Sequence, residues 1–350
     1  MSDEAQRKRR RLPAITVPLL LTAAMVVAAF TLVDDDASTS SSTTSDPPRR
    51  LTIVGDIGSS EAGAATLAAM GRRDADVHIA VGDLSYAGPG SAPAWCKLVR
   101  DAVGDAPFQI VAGNHEEDTG EDGRIAEFEQ CLPDRMDSSG LYGREYYFDL
   151  GRLVRVILIS PDLTIDGEHY YYGERSPNER WLEAVIDGAR DARIRWIVVG
   201  MHKPCISVGQ YYCDVYQDLF SLLIEKRVDL VVSGHDHGYQ RSKQLQAPRP
   251  GCDVVIVDSF DPDCVVDDGA DAAYERGAGT VFVVSGAGGG ELYELNPADP
   301  EAPYFVTTMG AGPGSRHGFL ELEASDERLA ARFVGSTAGT YEDAFTIEST

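Results

Sequence analysis

Five short segments of this sequence carry side chains that bind metal ions, and each follows a stretch predicted as a β-strand. They are Gly55-Asp56-Ile57-Gly58, Gly82-Asp83-Leu84-Ser85-Tyr86, Gly113-Asn114-His115-Glu116, Val199-Gly200-Met201-His202 and Gly234-His235-Asp236-His237. Together they supply two carboxylates, a phenol, an amide and four imidazoles, in an order that can close around two metal ions. The set therefore predicts a dinuclear metal site.

Each segment taken alone has an ordinary structural explanation. A Gly-Asp pair after a strand is usually a turn. A lone strand histidine such as His78 is usually a satisfied core residue, and Tyr86 alone would more often be a packing aromatic. Chance would have to place seven ligand-type residues at matching strand ends, so the metal-site interpretation is favoured for the whole set.

Alternating strands and helices must position these side chains. Apolar runs at 51–54, 77–81 and 108–112 predict three strands, with helices at 64–70 and 94–103 between them. In such a repeat, ligands gather at the carboxyl ends of the strands.

A second series of elements follows the first. Strands are predicted at 145–149, 153–159, 195–199 and 229–232, and helices at 177–189 and 215–226. The last hundred residues look mostly β, with a glycine-rich turn at 285–290. The expected fold class is α/β, with two packed mixed β-sheets flanked by helices in an α/β/β/α sandwich.

The five segments resemble the purple acid phosphatases, a branch of the calcineurin-like metallophosphoesterases. The family motifs GDxG, GDxxY, GNH(D/E), VxxH and GHxH are all present, in order and at comparable spacing. Further similarity at 285–289, 317–319 and 343–347 extends the resemblance over about 51 to 347. Five ordered motifs are far more specific than a single match.

The resemblance implies a dinuclear site with defined ligands. The first metal would be bound by Asp56, Tyr86 and His237, the second by Asn114, His202 and His235, and both by a bridging Asp83. A phenolate with carboxylates suits Fe(III), while imidazoles and an amide oxygen suit a divalent Fe, Zn or Mn ion.

The resemblance also implies roles in catalysis. A metal-bound hydroxide would attack phosphorus in line, so no nucleophilic side chain is needed. Asp83 and His115 are the predicted catalytic residues. His115 and Asn114 are predicted substrate-binding residues, with His115 protonating the leaving oxygen or bonding the phosphate. Lys203, where the sequence departs from the family, is a third predicted substrate-binding residue, expected to help bind the phosphate. Asp236 lies between two ligand histidines, so its side chain is expected to point to the other side of the segment, in a supporting or structural role. Glu117 is expected to add negative charge near the pocket.

The expected function is hydrolysis of small-molecule phosphomonoesters. The alternative on the same fold is a phosphodiesterase or nucleotide hydrolase, because the sequence does not show the shape of the pocket rim. The segment His169-Tyr170-Tyr171-Tyr172 is a candidate rim, or else a surface turn packed by its own tyrosines. An alternative of another class is a catalytically silent surface-binding protein, although such proteins usually lose ligand residues.

Charge and the N-terminal sequence bear on partners and location. A net charge of −25 argues against nucleic-acid binding. A basic leader (1–11) precedes an uncharged apolar run (12–33), long enough at ~1.5 Å per residue to span a bilayer. A Ser/Thr/Pro-rich linker (34–50) then leads to the catalytic domain (51–350). The positive-inside rule places that domain outside the cytoplasm, either membrane-anchored or secreted after cleavage.

Six cysteines, all in the predicted exported part, suggest disulfides. Six cysteines allow fifteen pairings. Pairing of sequence neighbours is expected: Cys96–Cys131, Cys205–Cys213 and Cys252–Cys264. A thiolate metal site is the competing interpretation, and it is disfavoured because no close Cys-x-x-Cys pair exists.

Overall fold

Two mixed β-sheets with helices on their outer faces form the core of the computed structural model, which describes residues 46–213 and 215–349. The first half of the chain supplies β1 Arg49–Val54, α1 Glu61–Met70, β2 Val77–Val81, α2 Ala92–Val103, β3 Phe108–Val111, α3 Ile125–Cys131, β4 Ser139–Leu141, β5 Glu145–Leu150, β6 Val154–Ile159, β7 Thr164–Ile165, β8 Glu168–His169 and α4 Pro177–Asp191. The second half supplies β9 Trp196–Met201, α5 Gln217–Glu225, β10 Leu230–Ser233, β11 Tyr239–Ser242, β12 Gln244–Leu245, β13 Val265–Asp267, β14 Ala273–Glu275, β15 Val281–Ser285, β16 Phe305–Met309, β17 Gly318–Ala324, β18 Arg328–Gly335 and β19 Ala344–Glu348.

Both large sheets have parallel strands at their centre. The first sheet has the order β14-β19-β18-β17-β1-β2-β3, and β1, β2 and β3 run parallel. The second has the order β16-β11-β15-β10-β9-β6-β5-β4, and β6, β9, β10 and β15 run parallel. Parallel strands present all their carboxyl ends at one edge, and the ligand residues of all five predicted segments come after such ends.

Apolar side chains alternate along the strands and build two core layers. One layer, with Ile53, Ile79, Val156, Val198 and Leu322 among its members, is shared by the facing sides of the two sheets. The other lies under the helices on the outer faces. This is the arrangement expected when each sheet buries both of its faces.

The sequence predictions of fold class and of the main elements are confirmed. Helix α4 starts as its sequence indicates: Ser176 accepts a hydrogen bond from the Glu179 amide, and Pro177 occupies the first turn. Helix α3 and the hairpin β7–β8 have no counterpart in the sequence predictions. All three elements are short, and α3 begins without a capping side chain.

All three predicted disulfides, Cys96–Cys131, Cys205–Cys213 and Cys252–Cys264, are present, and no free cysteine occurs in the described residues. The predicted leader, membrane segment and most of the linker lie outside the described residues. Within the described ranges, every helix is too short or too polar to cross a bilayer.

Candidate metal centre

The seven predicted ligands lie where the two sheets present the ends of their parallel strands. Asp56, Asp83 and Asn114 follow β1, β2 and β3 of the first sheet, and His202 and His235 follow β9 and β10 of the second. Hydrogen bonds join the strand ends, including Asp56 N to Gly82 O at 3.1 Å. The structure therefore brings all the predicted ligand residues together.

The backbone at this edge adopts conformations that most residues avoid. Asp56, Asp83, Tyr86 and His235 all have φ between 50° and 70°. Non-glycine residues in this region carry strain, and such residues cluster at functional sites.

Two motif glycines allow predicted ligand side chains to pack directly against the backbone. A Cβ on Gly82 would lie 2.6 Å from His202 Nδ1, and one on Gly113 would lie 2.2 Å from Asp83 Oδ1. Larger residues at these positions would displace two predicted ligands.

One half of the site surrounds the Tyr86 hydroxyl. This oxygen lies 2.9 Å from Asp56 Oδ1, 3.0 Å from Asp83 Oδ2 and 2.9 Å from His237 Nε2. His237 Nδ1 is 2.8 Å from the Glu291 carbonyl oxygen, which can only accept, so Nε2 presents a lone pair to the cluster. A single phenolic proton cannot satisfy all these acceptors.

The other half surrounds His202 Nε2. This nitrogen is 3.2 Å from Asp83 Oδ1, 3.1 Å from Asn114 Oδ1 and 3.1 Å from His235 Nδ1. His202 Nδ1 donates to the Val81 carbonyl oxygen at 2.9 Å, so in the neutral ring Nε2 carries the lone pair that faces this group. Three acceptors thus converge from three different strand ends.

These donor sets fit metal ions. Converging lone pairs are stabilised by a cation between them, and backbone carbonyls fix two imidazoles in the ligating tautomer. Among the described residues, His235 Nε2 is buried and has no hydrogen-bond partner, which a native site rarely tolerates without a function. Asp83, His202 and His235 form a compact carboxylate-imidazole cluster.

Burial and mutual charge shift the titration of the cluster. Burial alone would raise the pKa of Asp83, but the neighbouring His202 and His115 outweigh it and hold that pKa below its usual range. Burial alone would lower the pKa of His202, but Asp83 raises it to about 9. Burial, followed by the charge of His202, lowers the pKa of His235 to about 2.

Burial also governs the titration of Tyr86. Its pKa is raised far above the usual value by burial and by the carboxylates of Asp56 and Asp83. Before a cation binds, the phenol therefore keeps its proton.

Glu116 stabilises the loops that carry the predicted ligands, and this role was not predicted from the sequence. Its fully buried carboxylate accepts from the amides of Asp83 at 3.0 Å, Leu84 at 2.8 Å and Gly113 at 3.0 Å. Burial and the nearby Asp83 raise its pKa to about 7. It ties together the loops that follow β2 and β3.

His115 is held beside the cluster by a residue that sequence reasoning missed. Its Nδ1 is hydrogen-bonded to the carboxylate of Asp122, and its Nε2 lies 3.7 Å from Asp83 Oδ2. Asp122 is itself buried and accepts from the Gly88 amide at 2.6 Å. The ring is about one-third exposed, so Nε2 faces both the cluster and the solvent side.

Two predicted substrate-side residues are engaged elsewhere. The ammonium group of Lys203 donates to the carboxylate and the carbonyl of Asp162, both at 3.1 Å. Glu117 accepts from the Thr164 amide at 2.9 Å and so holds the β7–β8 hairpin. The phosphate-binding role of Lys203 stays a prediction, and it would require the Lys203–Asp162 pair to open.

Other sequence interpretations can be placed as well. His78 Nδ1 is 2.7 Å from Thr52 Oγ1 in the core, as expected for a structural histidine. Asp236 points away from the cluster and binds Ser207 and the Gln210 amide. In the 169–172 segment, Tyr170 and Tyr172 are buried and Tyr171 is exposed.

Two tyrosines beside the histidines were also missed. Tyr211 stacks on His235 and Tyr293 stacks on His237, with ring centroids 3.7 Å and 4.1 Å apart. The only sequence signal was the pair of aromatic residues between Cys205 and Cys213, since spacing alone does not reveal what a loop side chain covers.

The chain is similar to known phosphoesterases. The family model described as calcineurin-like phosphoesterase matches residues 49–239, more than half of the chain and all five segments. Purple acid phosphatase 22 of Arabidopsis thaliana is 30% identical over 207 residues, covering 55% of this chain and 45% of that protein. An Fe(3+)-Zn(2+) purple acid phosphatase 12 of the same plant is 27% identical, covering 55% of this chain and 43% of that protein.

The fold has a solved counterpart. Purple acid phosphatase PPD1 from yellow lupin (Lupinus luteus) seeds superimposes with a TM-score of 0.64 at 20% identity, covering 87% of this chain and 54% of that one. The chain spans about half the length of these relatives.

Proposed function

Because the chain belongs to the calcineurin-like phosphoesterase family, we propose that it is a dinuclear metallophosphatase that hydrolyses phosphomonoesters. The relatives named purple acid phosphatases support the enzyme class. The observation that carries the proposal is the position of the Asp83 carboxylate, because its two oxygens lie in two separate groups of ligand atoms.

The position of Asp83 supports a site for two ions. Its Oδ2 lies 3.0 Å from the Tyr86 hydroxyl, and its Oδ1 lies 3.2 Å from His202 Nε2. Each carboxylate oxygen therefore belongs to a different donor set. A bridging carboxylate is the natural way to hold two cations close together.

We assign one ion to Asp56, Asp83, Tyr86 and His237, with Fe(III) favoured by the phenol and carboxylates. The other set, Asp83, Asn114, His202 and His235, suits divalent Fe, Zn or Mn. When bound, two such ions supply Lewis-acid chemistry that lowers the pKa of an attacking water and neutralises charge on the phosphoryl oxygens.

His115 serves as the proton donor to the leaving oxygen. Its Nδ1 is occupied by Asp122, so its Nε2 is the atom that faces the reaction. A hydrogen-bonded carboxylate fixes the ring orientation, as in other histidine-based proton transfers. Asp122 acts through His115 and is a positioning residue. Asn114 also lies at the surface of the cluster, where it can contact the phosphate.

One experiment separates the candidate activities. The full chain is loaded with iron plus a divalent metal, and initial rates are measured for an aryl phosphomonoester and the corresponding diester. We expect a monoester preference of at least ~100-fold, and its loss in Asp83→Asn. A diester preference would move the protein to the phosphodiesterases, and no hydrolysis by metal-replete protein would favour the surface-binding alternative.

We also propose that the catalytic domain acts outside the cytoplasm, held by the 12–33 segment or released by cleavage. The support is the basic leader before that segment and three disulfides, which persist in oxidising compartments. Protease added to intact cells should degrade the domain, unless cleavage has already released it into the medium. Complete protection until lysis would contradict this location.

A further inference from the structure

Exposed aromatic rings are concentrated at the metal edge. Among the described residues, the exposed large hydrophobic side chains are Leu141, Tyr171, Tyr211, Tyr212, Tyr216 and Ile256. Four of them are tyrosines, on the loops that follow the hairpin strand β8 and strand β9. Solvent-exposed aromatic rings on an enzyme surface commonly mark a binding region.

Tyr211 is the exposed ring that touches the cluster itself. Its ring lies 3.7 Å from that of His235 at 28°, and it is 38% exposed, which leaves the opposite face accessible. Tyr293 stacks on His237 at 4.1 Å and 11°, and its ring centroid lies 6.2 Å from that of Tyr211. The two phenols thus form a continuous wall over both histidines of the last motif.

The loop that carries Tyr211 is fixed by a disulfide and by hydrogen bonds to buried side chains. Cys205 and Cys213 close it with a disulfide. Inside it, Asp236 accepts from the Gln210 amide at 2.7 Å, and Gln240 accepts from the Val208 amide at 2.8 Å.

A third buried side chain completes the anchoring. Glu301 accepts from the Ser207 amide at 3.1 Å. Asp236, Gln240 and Glu301 are all buried, so three polar side chains have been desolvated to fix one exposed loop. This arrangement pre-organises Tyr211, and pre-organisation lowers the entropy cost of binding against its ring.

We propose that Tyr211, supported by Tyr293, is a specificity-determining residue that selects phosphate esters with a planar aromatic alcohol half. The proposal rests on the proposed phosphatase function of the same site. When the phosphate of a substrate lies at the cluster, its alcohol half must pass the residues that line the site. Tyr211 is one of these residues. Its accessible face offers stacking, which any planar ring can use.

The charges nearby favour stacking over ionic recognition of the alcohol half. Lys203, the cation that follows His202, is paired with Asp162. The chain as a whole carries a net charge of −25. An additional anionic group on the substrate would therefore gain little, whereas an uncharged aromatic group can gain contact area.

The test compares two esters of equal size and similar leaving-group acidity: benzyl phosphate and cyclohexylmethyl phosphate. We expect kcat/KM of the metal-loaded full chain to be about 10-fold higher for the benzyl ester. In Tyr211→Leu this ratio should fall to about 1, and in Tyr211→Phe it should be retained, because the ring plane remains. Stacking energies of ~1–3 kcal/mol per ring allow a change of this size.

Tyr212→Leu is the matched control. Tyr212 lies on the same loop but is 74% exposed, and no aromatic ring packs against it within the described residues. Its substitution should leave the benzyl preference unchanged. Calorimetric binding of benzylphosphonate and cyclohexylmethylphosphonate supplies a readout independent of turnover and should show the same preference and the same loss.

The outcomes are distinguishable. Equal hydrolysis of both esters by the wild type, or the same ratio in Tyr211→Leu, would overturn the aromatic selection while leaving the phosphatase proposal intact. Hydrolysis of neither ester by metal-replete protein would overturn the proposed function and this inference with it. Equal metal content and equal melting temperature in the variants establish that a changed ratio reflects the ring and not the fold.

Discussion

At the scale of single residues, the site is defined by oxygen and nitrogen atoms that converge from different strand ends. The Tyr86 hydroxyl faces lone pairs of Asp56, Asp83 and His237, and His202 Nε2 faces those of Asp83 and Asn114. In the proposed dinuclear site, a cation in each group replaces the shared protons and binds these lone pairs.

Substitution of Tyr86 by Phe should abolish colour without abolishing the fold. The pKa of Tyr86 is raised by burial and by two carboxylates, so its phenolate forms only when a strongly Lewis-acidic cation binds. Iron-loaded wild type should show a visible tyrosinate-to-iron absorption band, and Tyr86→Phe should lack it. A colourless wild type of full iron content would contradict the Fe(III) assignment.

Substitution of Asp122 by Asn should impair proton donation. The neutral amide introduced by Asp122→Asn can no longer hold the His115 ring as a charged partner. General acid catalysis contributes ~10²–10⁴-fold to the reaction rate. We expect kcat to fall roughly 10-fold or more for alkyl phosphates. For aryl phosphates, kcat should fall much less, because their acidic leaving groups depart without needing a proton.

Asp118→Asn is a suitable comparison for Asp122→Asn. Asp118 also lies on the loop after β3, but it binds Arg124 and the hairpin backbone. Equal losses for alkyl and aryl substrates in Asp122→Asn would argue against a role through His115.

At the scale of elements, strand ends are joined by buried carboxylates. Glu116 binds three amides on the loops after β2 and β3, and Asp229, just before β10, binds the Ile197 amide of β9 at 2.9 Å. These contacts align strands that carry ligands. They explain why the loops keep their strained backbone before any cation is present.

Removal of the Glu116 side chain should destabilise this alignment. Glu116→Ala leaves three buried amides without an acceptor, and each unsatisfied group costs ~1–3 kcal/mol. We expect the free energy of unfolding to fall by about 3 kcal/mol or more in denaturant titrations. Glu116→Gln, which keeps one acceptor oxygen, should lose less. A Glu116→Ala protein as stable as the wild type would show that the amides find other partners.

Asp229 should make stability depend on pH. Burial raises its pKa from 3.8 to about 6, so the folded state holds the proton more tightly than the unfolded state. Its contribution is complete below pH 3.8 and is lost as pH rises through about 6. Relative to wild type, Asp229→Asn should gain about 2 kcal/mol of stability between pH 4 and pH 7. A pH-independent difference between the two proteins would contradict this assignment.

At the scale of the whole molecule, the site is complete only when both sheets supply their strand ends to one edge. The first sheet contributes Asp56, Asp83 and Asn114, and the second contributes His202 and His235. A cation bound there joins the two sheets. Metal binding should therefore stabilise the fold as a whole.

Removal of metal should lower the melting temperature. A ligand present at ~1,000 times its dissociation constant stabilises by ~4 kcal/mol, and ~1 kcal/mol corresponds to ~2–4 °C for domains of 150–250 residues. We expect chelator to lower Tm by about 10 °C in the wild type. In Asp83→Asn the chelator effect should shrink by more than half, and an equal effect in both proteins would point to metal bound elsewhere.

The sequence by itself indicated the candidate ligands and their order, and it predicted the two strand–helix series and the pairing of neighbouring cysteines. These features depend on local patterns: apolar runs of strand length, turn residues at strand ends, and cysteines close along the chain. Parallel strands then carry the side chains at their ends to one edge, so the meeting of Asp56, Asp83 and His202 could be anticipated.

Only the tertiary structure decided which neighbours act on those ligands. Asp122 reaches His115, Glu116 turns inward to three amides, Lys203 turns to Asp162, and Tyr211 covers His235. No spacing rule predicts these contacts, because each depends on the path of an irregular loop or on a rotamer selected by packing. The ligands are indicated by motifs that resemble those of a known family and that lie at strand ends, whereas their supports and the wall of the pocket follow from how loops fold back on one another.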